Sequence, residues 1–406
     1  MAENNPVVLA ERVWHTRLPL VVLVRTIVNV PFRIVYPFLP SIARGLGISL
    51  AAASGLVTLR LIARMGAPLL GPLADRYERR RVMEVALLFF TLAGLLLAGA
   101  GTFAVAAVAF VLYGAAKALY DPAVHAYLGD AVPYRERGRA VGVVELSWSA
   151  AWLLGVPASG LLIERLGWRA PWAVLIVLGL LGVGLTRVGL PSALGQPASS
   201  GGKPFVTSMV AAWRGLLRRR SVVVLLLTSA LLSLAIEIPF IVYGAWLEET
   251  FGLSLTALGL ASAVVGVAEA AAECGVTVIT DRLGKRRSVL AGLLGLAVSL
   301  VALPWLSRLG LAPALTGVVL MLLAFEFGVV SLIPMATELA PDARATLLSL
   351  NSAAFGLSRA LAALIGGWLW QWQGVGAQNP IALHAGVGAV CAIVAALLLA
   401  RGMEDG

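Results

Sequence analysis

The amino-acid sequence predicts an all-α polytopic membrane protein with twelve transmembrane helices, arranged as two six-helix bundles in a pseudo-two-fold repeat. Three observations predict this class: a low share of charged residues, a series of long apolar stretches, and an internal repeat. Of the 406 residues, 13% are Asp, Glu, Lys or Arg and 60% are hydrophobic, whereas soluble proteins carry about 25% charged residues. This composition excludes an ordinary soluble enzyme.

Twelve apolar stretches, numbered here as spans 1 to 12, are each close to the roughly 20 residues that a helix needs to cross a bilayer. They lie at residues 18–42, 51–73, 82–101, 103–128, 139–162, 170–190, 221–246, 256–279, 287–307, 311–337, 345–370 and 380–401. Four prolines within them predict bends, namely Pro31, Pro37, Pro157 and Pro239.

The positive charges are distributed unequally between the two sides of the membrane. On the side of the amino terminus, the connections and tails hold 21 of the 31 Lys and Arg residues, the opposite side holds four, and six fall inside helices. Because Lys and Arg accumulate on the cytoplasmic side, we predict a multi-pass protein of the cell (inner) membrane with both termini in the cytoplasm. The net charge of +10 is thus a topology signal, and no nucleic-acid partner is expected.

An internal repeat relates the two halves of the chain. The segment VPFRIVYPFLPSIARGLGISL from Val30 resembles IPFIVYGAWLEETFGLSL from Ile238, at an offset close to 207 residues. The offset recurs in order along the chain, in the pairs Pro31 and Pro239, Tyr36 and Tyr243, Gly47 and Gly252, Ser49 and Ser254, Asp75 and Asp281, and Asp130 and Glu338. Repetition in the same order predicts two parallel six-helix units.

Residues 191–220 separate the two copies, so that residues 1–190 and 221–406 are predicted to form the two bundles. The linker begins with PSALGQPASSGGK, and its Gly, Ser and Pro content is typical of a flexible segment. From Phe205 to Arg220, apolar residues share one helical face and arginines occupy other positions. Either a basic amphipathic helix on the inner leaflet or a helical start of span 7 explains this pattern.

Several motifs resemble those of the major facilitator superfamily. The loop between spans 2 and 3 reads GPLADRYERR from Gly71, which is similar to the family signature GxxxDRxGRR, and the loop between spans 8 and 9 reads DRLGKR from Asp281. AYLGDAVPYRERGRAVG from Ala126 and GWRAPW from Gly167 add to the resemblance. The chain therefore resembles the twelve-helix, drug/proton-antiporter-like bacterial branch of this family, which implies a secondary transporter that works by alternating access.

The signature loops are predicted to form a conformational latch. Gly71 lacks a side chain and lets span 2 approach a neighbour closely, and Asp75 can accept hydrogen bonds from Arg79 or face the positive end of a helix. The alternative is that the arginines only fix the topology. The predicted latch residues are Gly71, Asp75, Arg76, Arg79, Asp281 and Arg282.

Twelve ionisable residues lie well within the predicted helices, away from the helix ends. Exposed to lipid at about 3 kcal/mol each, they would cost on the order of 35 kcal/mol, which exceeds the roughly 5–15 kcal/mol of net stability of a fold. They are therefore expected to face a water-filled cavity or one another. The first half carries five basic and two acidic residues of this set, and the second half carries one basic and four acidic residues.

This asymmetry predicts a cavity with a cationic wall for an anionic or polar group and a carboxylate wall for protons or a cationic group. Spacing supports it, because Arg25, Asn29 and Arg33 are four residues apart and share one helical face. The candidate substrate-cavity residues are Arg25, Asn29, Arg33, Arg60, Arg64, Lys117, Trp148, Trp152, Tyr243 and Arg359. The candidate proton-coupling residues are Asp121, Glu145, Glu237, Glu269, Glu273 and Glu326. The alternatives are that the two walls pair across the halves as salt bridges, and that Lys117 and Asp121 neutralise each other.

These observations favour proton-coupled export of small amphipathic compounds. The alternatives are proton-linked uptake of an organic anion, transport of a lipid or lysolipid, and a membrane sensor that does not transport. Since the sequence holds no HExxH, GxSxG or GxxxxGK[ST] motif, neither an enzyme nor an ATP-driven pump is expected. We expect no cofactor and no metal; the expected partners are a small-molecule substrate, protons and the lipid bilayer, and the expected state is a monomer.

Overall fold

The computed structural model describes residues 6–66, 77–191, 213–340, 343–373 and 379–402. Within these ranges, the side chains of residues 6–14, 134, 273–282, 337, 344 and 345 fall outside the description. Over the described residues the regular structure is entirely helical. The predicted linker, 191–220, lies mostly outside these ranges, and only a short helix at 213–217 precedes span 7, so its form stays a prediction.

The helices of the first half correspond to spans 1 to 6. Span 1 consists of Pro6–Arg33 and Val35–Leu46, span 2 of Leu50–Arg64, span 3 of Arg79–Ala98, span 4 of Phe103–Ala131, span 5 of Arg137–Glu145, Ser147–Ala150, Ala151–Gly155 and Val156–Leu166, and span 6 of Ala170–Gly189. The segment Ala151–Gly155 is a π-helical turn.

The helices of the second half correspond to spans 7 to 12. Span 7 consists of Arg220–Ile241 and Tyr243–Phe251, span 8 of Leu255–Leu283, span 9 of Lys285–Arg308, span 10 of Leu311–Leu339, span 11 of Arg344–Gln373 and span 12 of Ala382–Gly402. In the described part of the chain, ten helices are long and apolar enough to cross a membrane, or up to eleven with the bent span 1. The helix of span 2, described for 15 residues, completes a set consistent with twelve.

Spans 1 and 7, for which the sequence predicted bends at Pro31, Pro37 and Pro239, are each broken into two helices. In span 1 the two pieces meet at an angle of 55°. The break follows Arg33 because Pro37 has no N–H to donate to the Arg33 carbonyl, and its ring crowds that oxygen. In span 7 the helix ends at Ile241, two residues after Pro239. Pro157 follows the π-helical turn of span 5, where it leaves another carbonyl without its helical partner.

The repeat seen in the sequence has a structural counterpart in the turns that end spans 1 and 7. Gly47, at φ 65°, and Gly252, at φ 61°, both terminate a helix in the left-handed conformation, which glycine adopts without steric cost. Ser49 then accepts a hydrogen bond from the amide of Ala52 at the start of span 2. Ser254 occupies the corresponding place before span 8 and accepts from the amide of Ala257 at 3.3 Å.

The halves pack tightly on the side opposite to the termini. Span 2 lies against span 11, span 5 against span 8, and the outer pieces of spans 1 and 7 against each other. A Cβ atom on Gly160 would lie 2.5 Å from the carbonyl oxygen of Leu255, and one on Gly244 would overlap the carbonyl group of Pro37. Glycine is therefore required for these helices to approach so closely.

Two polar contacts join the halves on the same side. Arg44, near the end of span 1, lies 2.8 Å from the carboxylate of Glu248 in span 7. Glu164, near the end of span 5, accepts a hydrogen bond of 2.6 Å from the backbone amide of Thr256 in the first turn of span 8. A carboxylate at a helix amino terminus is favourable because it meets unpaired amides and the positive end of the helix dipole. Together with the glycine contacts, these pairs close this side of the protein.

Apolar side chains cover the outer surface of the bundle. Spans 3, 6, 9 and 12 expose Leu92, Val177, Val298 and Val390, among many others. A soluble protein rarely exposes apolar surface so extensively. Lipid chains are the environment that suits such a surface.

Candidate functional site

Span 1 carries a stripe of polar side chains at the centre of the molecule. Arg25, Asn29 and Arg33 follow one another at one-turn spacing, and Tyr36 continues the stripe after the break. Each contacts side chains from other spans, as described below. The sequence predicted that the first three residues share a face, but it gave no indication of their partners.

Asp121 is the carboxylate of a cluster with three cations. Its oxygens lie 2.9 Å from Nζ of Lys117, 3.4 Å from a terminal nitrogen of Arg64 and 3.6 Å from Nε of Arg25. Lys117, which is fully buried, also donates to Oδ1 of Asn29. The expected Lys117–Asp121 pair thus exists, but one carboxylate is shared among three positive charges.

Arg25 also binds span 5. A terminal nitrogen lies 3.0 Å from Glu145, and another donates to the carbonyl oxygen of Val144 at 2.9 Å. On the other side of Glu145, Nε2 of His125 lies 3.6 Å away. Ser147 accepts a hydrogen bond of 2.9 Å from Asn29. His125 and Ser147 were not among the predicted site residues, because a single histidine or serine in an apolar helix carries no distinctive pattern.

One ion pair crosses between the halves at the centre. A terminal nitrogen of Arg33 in span 1 lies 2.6 and 2.7 Å from the two carboxylate oxygens of Glu269 in span 8. Both side chains are largely buried, with 13% and 9% exposed. The guanidinium group of Arg33 also stands 4.5 Å from the ring centroid of Trp148 and 5.3 Å from that of Trp152. Arg33 is therefore held by charge and by aromatic rings at once.

A second group joins the halves through a tyrosine. Glu237 of span 7 is buried, accepts a hydrogen bond of 2.7 Å from the hydroxyl of Tyr36, and lies 2.7 Å from Arg359 of span 11. Arg359 donates in turn to the Tyr36 hydroxyl at 2.8 Å. Tyr36 thus bridges a first-half helix to an ion pair of the second half. In the sequence, Tyr36 stands out only as one of the residues that mark the repeat, and nothing there indicates this role.

Arg60 differs from the other intramembrane arginines. Its side chain is buried, and it donates 2.8 Å to the carbonyl oxygen of Pro31. The guanidinium group lies 4.5 Å from the ring centroid of Phe32 and 5.7 Å from that of Phe110. Within the described part of the chain, no carboxylate lies within ion-pair distance of it. The guanidinium group of Arg60 is therefore held by two aromatic rings and one carbonyl oxygen.

The predicted aromatic residues occupy different places. Trp148 lies among cations, with Nζ of Lys117 4.3 Å and the guanidinium of Arg64 5.7 Å from its ring centroid. Trp152 is fully buried beside Tyr36. Tyr243 is 2% exposed and packs between Phe240 and Trp246, so the structure places it in the closed side rather than with Trp148.

The remaining predicted residues lie in other parts of the chain. Glu326 lies in span 10, where the neighbouring Phe325 packs on the ring of Phe355. Glu273, Asp281 and Arg282 belong to span 8, with side chains that the structure does not describe, and Gly71, Asp75 and Arg76 lie outside the described residues. Arg79 is described and lies 3.4 Å from Asp130, and Lys285 pairs with Glu338 at the equivalent place in the second half. The latch therefore stays a prediction.

The charged side chains of the site differ in exposure. On the terminus side, 42% of His125, 36% of Arg64 and 35% of Glu145 is exposed, whereas 2% or less of Glu237 and Lys117 is exposed. Because the contacts between the halves close the opposite side, water and solutes reach the exposed members from the side of the termini. In the residues that the structure describes, no group of three His, Cys, Asp or Glu side chains is placed to hold a metal ion.

The hydroxyl of Tyr36 makes a testable contribution to stability. Replacing Tyr36 with phenylalanine removes a donor to Glu237 and an acceptor for Arg359, so we expect the free energy of unfolding to fall by about 1–3 kcal/mol. Unfolding of the purified protein, followed by circular dichroism, measures this. Tyr113→Phe is the control, because the Tyr113 hydroxyl has no hydrogen-bond partner among the described residues. Equal losses in both variants would contradict the bridging role of Tyr36.

A family model and several known proteins match this chain. The model described as Major Facilitator Superfamily matches residues 21–244 and, in a second match, residues 225–404. The chain is 26% identical over 277 residues to the uncharacterised MFS-type transporter YwfA of Bacillus subtilis (strain 168), a match that covers 67% of this chain and 66% of that protein. It is 29% identical over 268 residues to a chloramphenicol resistance protein of Streptomyces lividans, over 66% of this chain and 65% of the relative.

A solved structure shares the fold over almost the whole chain. The crystal structure of a D-xylose-proton symporter superposes with a TM-score of 0.78 and covers 97% of this chain and 98% of its own. The sequence identity of 18% is low, so this likeness concerns the fold alone. The paired match to one family model agrees with the repeat, since the second match begins close to the start of span 7.

Proposed function

Because the chain belongs to the Major Facilitator Superfamily, it is a multi-pass membrane transporter and not an enzyme, and we propose that it exports small amphipathic compounds in exchange for protons. The single observation that carries this proposal is the Arg33–Glu269 ion pair, which crosses between the halves beside two tryptophan rings. Protonation of a carboxylate at that place weakens a contact between the halves. The indole rings beside it suit the apolar body of an amphipathic compound.

The ion pair provides a physical route for coupling. With Glu269 ionised, Arg33 and Glu269 attract each other at 2.6 Å and hold the centre of the two halves together. Protonation of Glu269 removes its charge and most of that attraction. Alternating access requires central contacts to break and form again as one half moves against the other. A proton taken up by Glu269 therefore favours separation, and its release favours the arrangement seen here.

The state of the structure fits one stage of such a cycle. If the termini are cytoplasmic, as the distribution of Lys and Arg predicts, the exposed side of the site faces the cytoplasm of a bacterial inner membrane. Glu269 is then paired and ionised after its proton has been released inward, and Arg64 and Trp148 receive the compound. The name of the Streptomyces relative also supports export, since removal of an antibiotic from the cell is one cause of resistance.

The test measures proton flux in liposomes that contain the purified protein and an internal pH dye. The compounds added are chloramphenicol, which is neutral, and 2-naphthoate, which is anionic, and at least one of them is expected to cause proton movement under a pH gradient with the wild type. For Glu269→Gln we expect the coupled flux to fall about tenfold or more, because a charge-assisted contact worth about 1.5–3 kcal/mol is lost from one stage of the cycle.

Glu136→Gln is the matched control. Glu136 also lies beside a basic side chain, 3.6 Å from Nε2 of His15, but 40% of its side chain is exposed, so its replacement is expected to leave the flux unchanged. Wild-type proton flux in Glu269→Gln would refute the coupling role of this carboxylate. Transport that is independent of any pH gradient in the wild type would refute proton exchange altogether.

A further inference from the structure

We infer that the transported compound carries an anionic group, a carboxylate or a similar acid, on an aromatic body, and that Arg64 and Trp148 bind it. This inference rests on the proposed function and names the class of its substrate. It follows from the charge of the first-half wall, defined as the side chains of Arg25, Arg60, Arg64, Lys117, Asp121 and Glu145.

The first-half wall has more positive than negative charge. Three of its cations, Arg25, Arg64 and Lys117, share the carboxylates of Asp121 and Glu145. The fourth, Arg60, has no carboxylate within ion-pair distance among the described residues. The other two intramembrane arginines have partners of their own, since Arg33 pairs with Glu269 and Arg359 pairs with Glu237. The wall therefore keeps an excess of two positive charges in its own contacts. A bound anion reduces this excess, whereas a neutral compound leaves it and a cation increases it.

Burial makes this excess energetically important. Lys117 is 0% exposed and Arg60 is 1% exposed, so water screens their charges weakly. Cations held close together without enough carboxylates repel one another, and a ligand of opposite sign relieves this repulsion. The positive potential of the wall thus attracts anions and repels cations, whatever the shape of the solute.

Arg64 is the cation that a solute can reach. Its side chain is 36% exposed, and its contact with Asp121 is long, at 3.4 Å, compared with 2.6 Å between Arg33 and Glu269. A guanidinium group has five N–H donors, and this contact occupies only one of them, so Arg64 retains donors for a carboxylate. Arg33 is already engaged at short distance by both oxygens of Glu269.

Trp148 supplies the place for the aromatic body. Its ring is partly exposed and lies beside Lys117, Arg33 and Arg64. A flat ring that packs against the exposed part of the indole brings an attached carboxylate next to the cations that lie over the Trp148 ring. An aromatic acid therefore contacts both the indole ring and the cations. An aromatic amide lacks the negative charge, and an aliphatic acid lacks the ring.

Binding can be measured by thermal unfolding of the purified full-length protein at constant ionic strength. The probes are 2-naphthoate, 2-naphthamide and 2-naphthylmethylamine, which share one ring system and differ in charge. We expect saturating 2-naphthoate to raise the unfolding temperature by about 2–4 °C, and the amide and the amine to give no rise. A rise of equal size with the amide or the amine would overturn the inference.

Variants connect the effect to the named residues. Arg64→Gln is expected to remove most of the rise caused by 2-naphthoate. Arg308→Gln is the matched control, because Arg308 also lies over an indole ring, that of Trp305, at the end of span 9. A full rise in Arg64→Gln would overturn the assignment of the site. Decanoate separates an aromatic acid from a lipid acyl chain, and a larger rise with decanoate than with 2-naphthoate would contradict the aromatic part of the inference.

The outcome can be separated from that of the proposed function. If chloramphenicol drives proton flux in liposomes while 2-naphthoate neither binds nor competes with it, the inference is wrong and proton-coupled export stands. If 2-naphthoate binds through Arg64 but no compound moves protons, the anion site stands and the proposed coupling is wrong.

Discussion

Asp121→Asn is expected to lower the free energy of unfolding by about 3–5 kcal/mol and to abolish transport. The carboxylate lies within 3.6 Å of Arg25, Arg64 and Lys117, and an asparagine leaves these three cations together without a negative charge between them. Their mutual repulsion acts in a largely buried place, since 16% of Asp121 is exposed. The cluster is therefore expected to separate and to disturb the packing of spans 1, 2 and 4.

Unfolding in detergent, followed by circular dichroism, measures the loss of stability, and uptake into liposomes measures transport. The control is Asp130→Asn, which removes a carboxylate of the same helix. Asp130 pairs with Arg79 at the edge of the bundle and is 34% exposed, so we expect a change below about 1 kcal/mol. An Asp121→Asn protein as stable as the Asp130→Asn protein would show that the three cations do not depend on this carboxylate.

Gly244→Ala is expected to prevent closure of the side opposite to the termini, and with it transport. The new methyl group would overlap the carbonyl group of Pro37, and backbone cannot give way as a flexible side chain does. The outer pieces of spans 1 and 7 then have to stay apart. We expect a folded protein whose population shifts toward the state that is open on this side.

Spin labels at Leu166 and Leu309 report this shift, after Cys274→Ser and Cys391→Ser remove the native thiols. Both labelled positions are exposed at 72% and lie in different halves, at the ends of spans 5 and 9. The distance between the labels is expected to lengthen in Gly244→Ala. Gly386→Ala in span 12 is the control, since a Cβ there meets nothing within 4 Å. Unchanged distances together with normal transport would contradict the role of Gly244.

The spans could be predicted because a bilayer imposes a strong pattern on the sequence. Apolar length and the charges between the stretches indicate each helix, and the repeated turns at Gly47 and Gly252 were visible as residue matches. The break after Arg33 was not, because Pro31, Pro37 and Pro40 lie within ten residues and the sequence does not show which of them interrupts the helix.

The candidate site could be predicted in part. Spacing placed Arg25, Asn29 and Arg33 on one face, since positions four residues apart in a helix are neighbours. Their partners depend on how distant helices pack: Arg33 and Glu269 are 236 residues apart in the chain. The bridging role of Tyr36 was missed for the same reason. A tyrosine in an apolar helix gives no indication in the sequence that its hydroxyl group contacts a buried carboxylate from another helix.

The interrupted helices of spans 1 and 7 have a mechanical consequence. Each outer piece, Val35–Leu46 and Tyr243–Phe251, is joined to its inner piece at a break and packs against the other outer piece. At 1.5 Å per residue they are short levers of about 18 and 14 Å. Opening of the closed side then needs rotation of two levers about Ile34 and Val242. Tyr36 lies on the first lever, two residues from its hinge, so opening of this side also acts on the hydrogen bond between Tyr36 and Glu237.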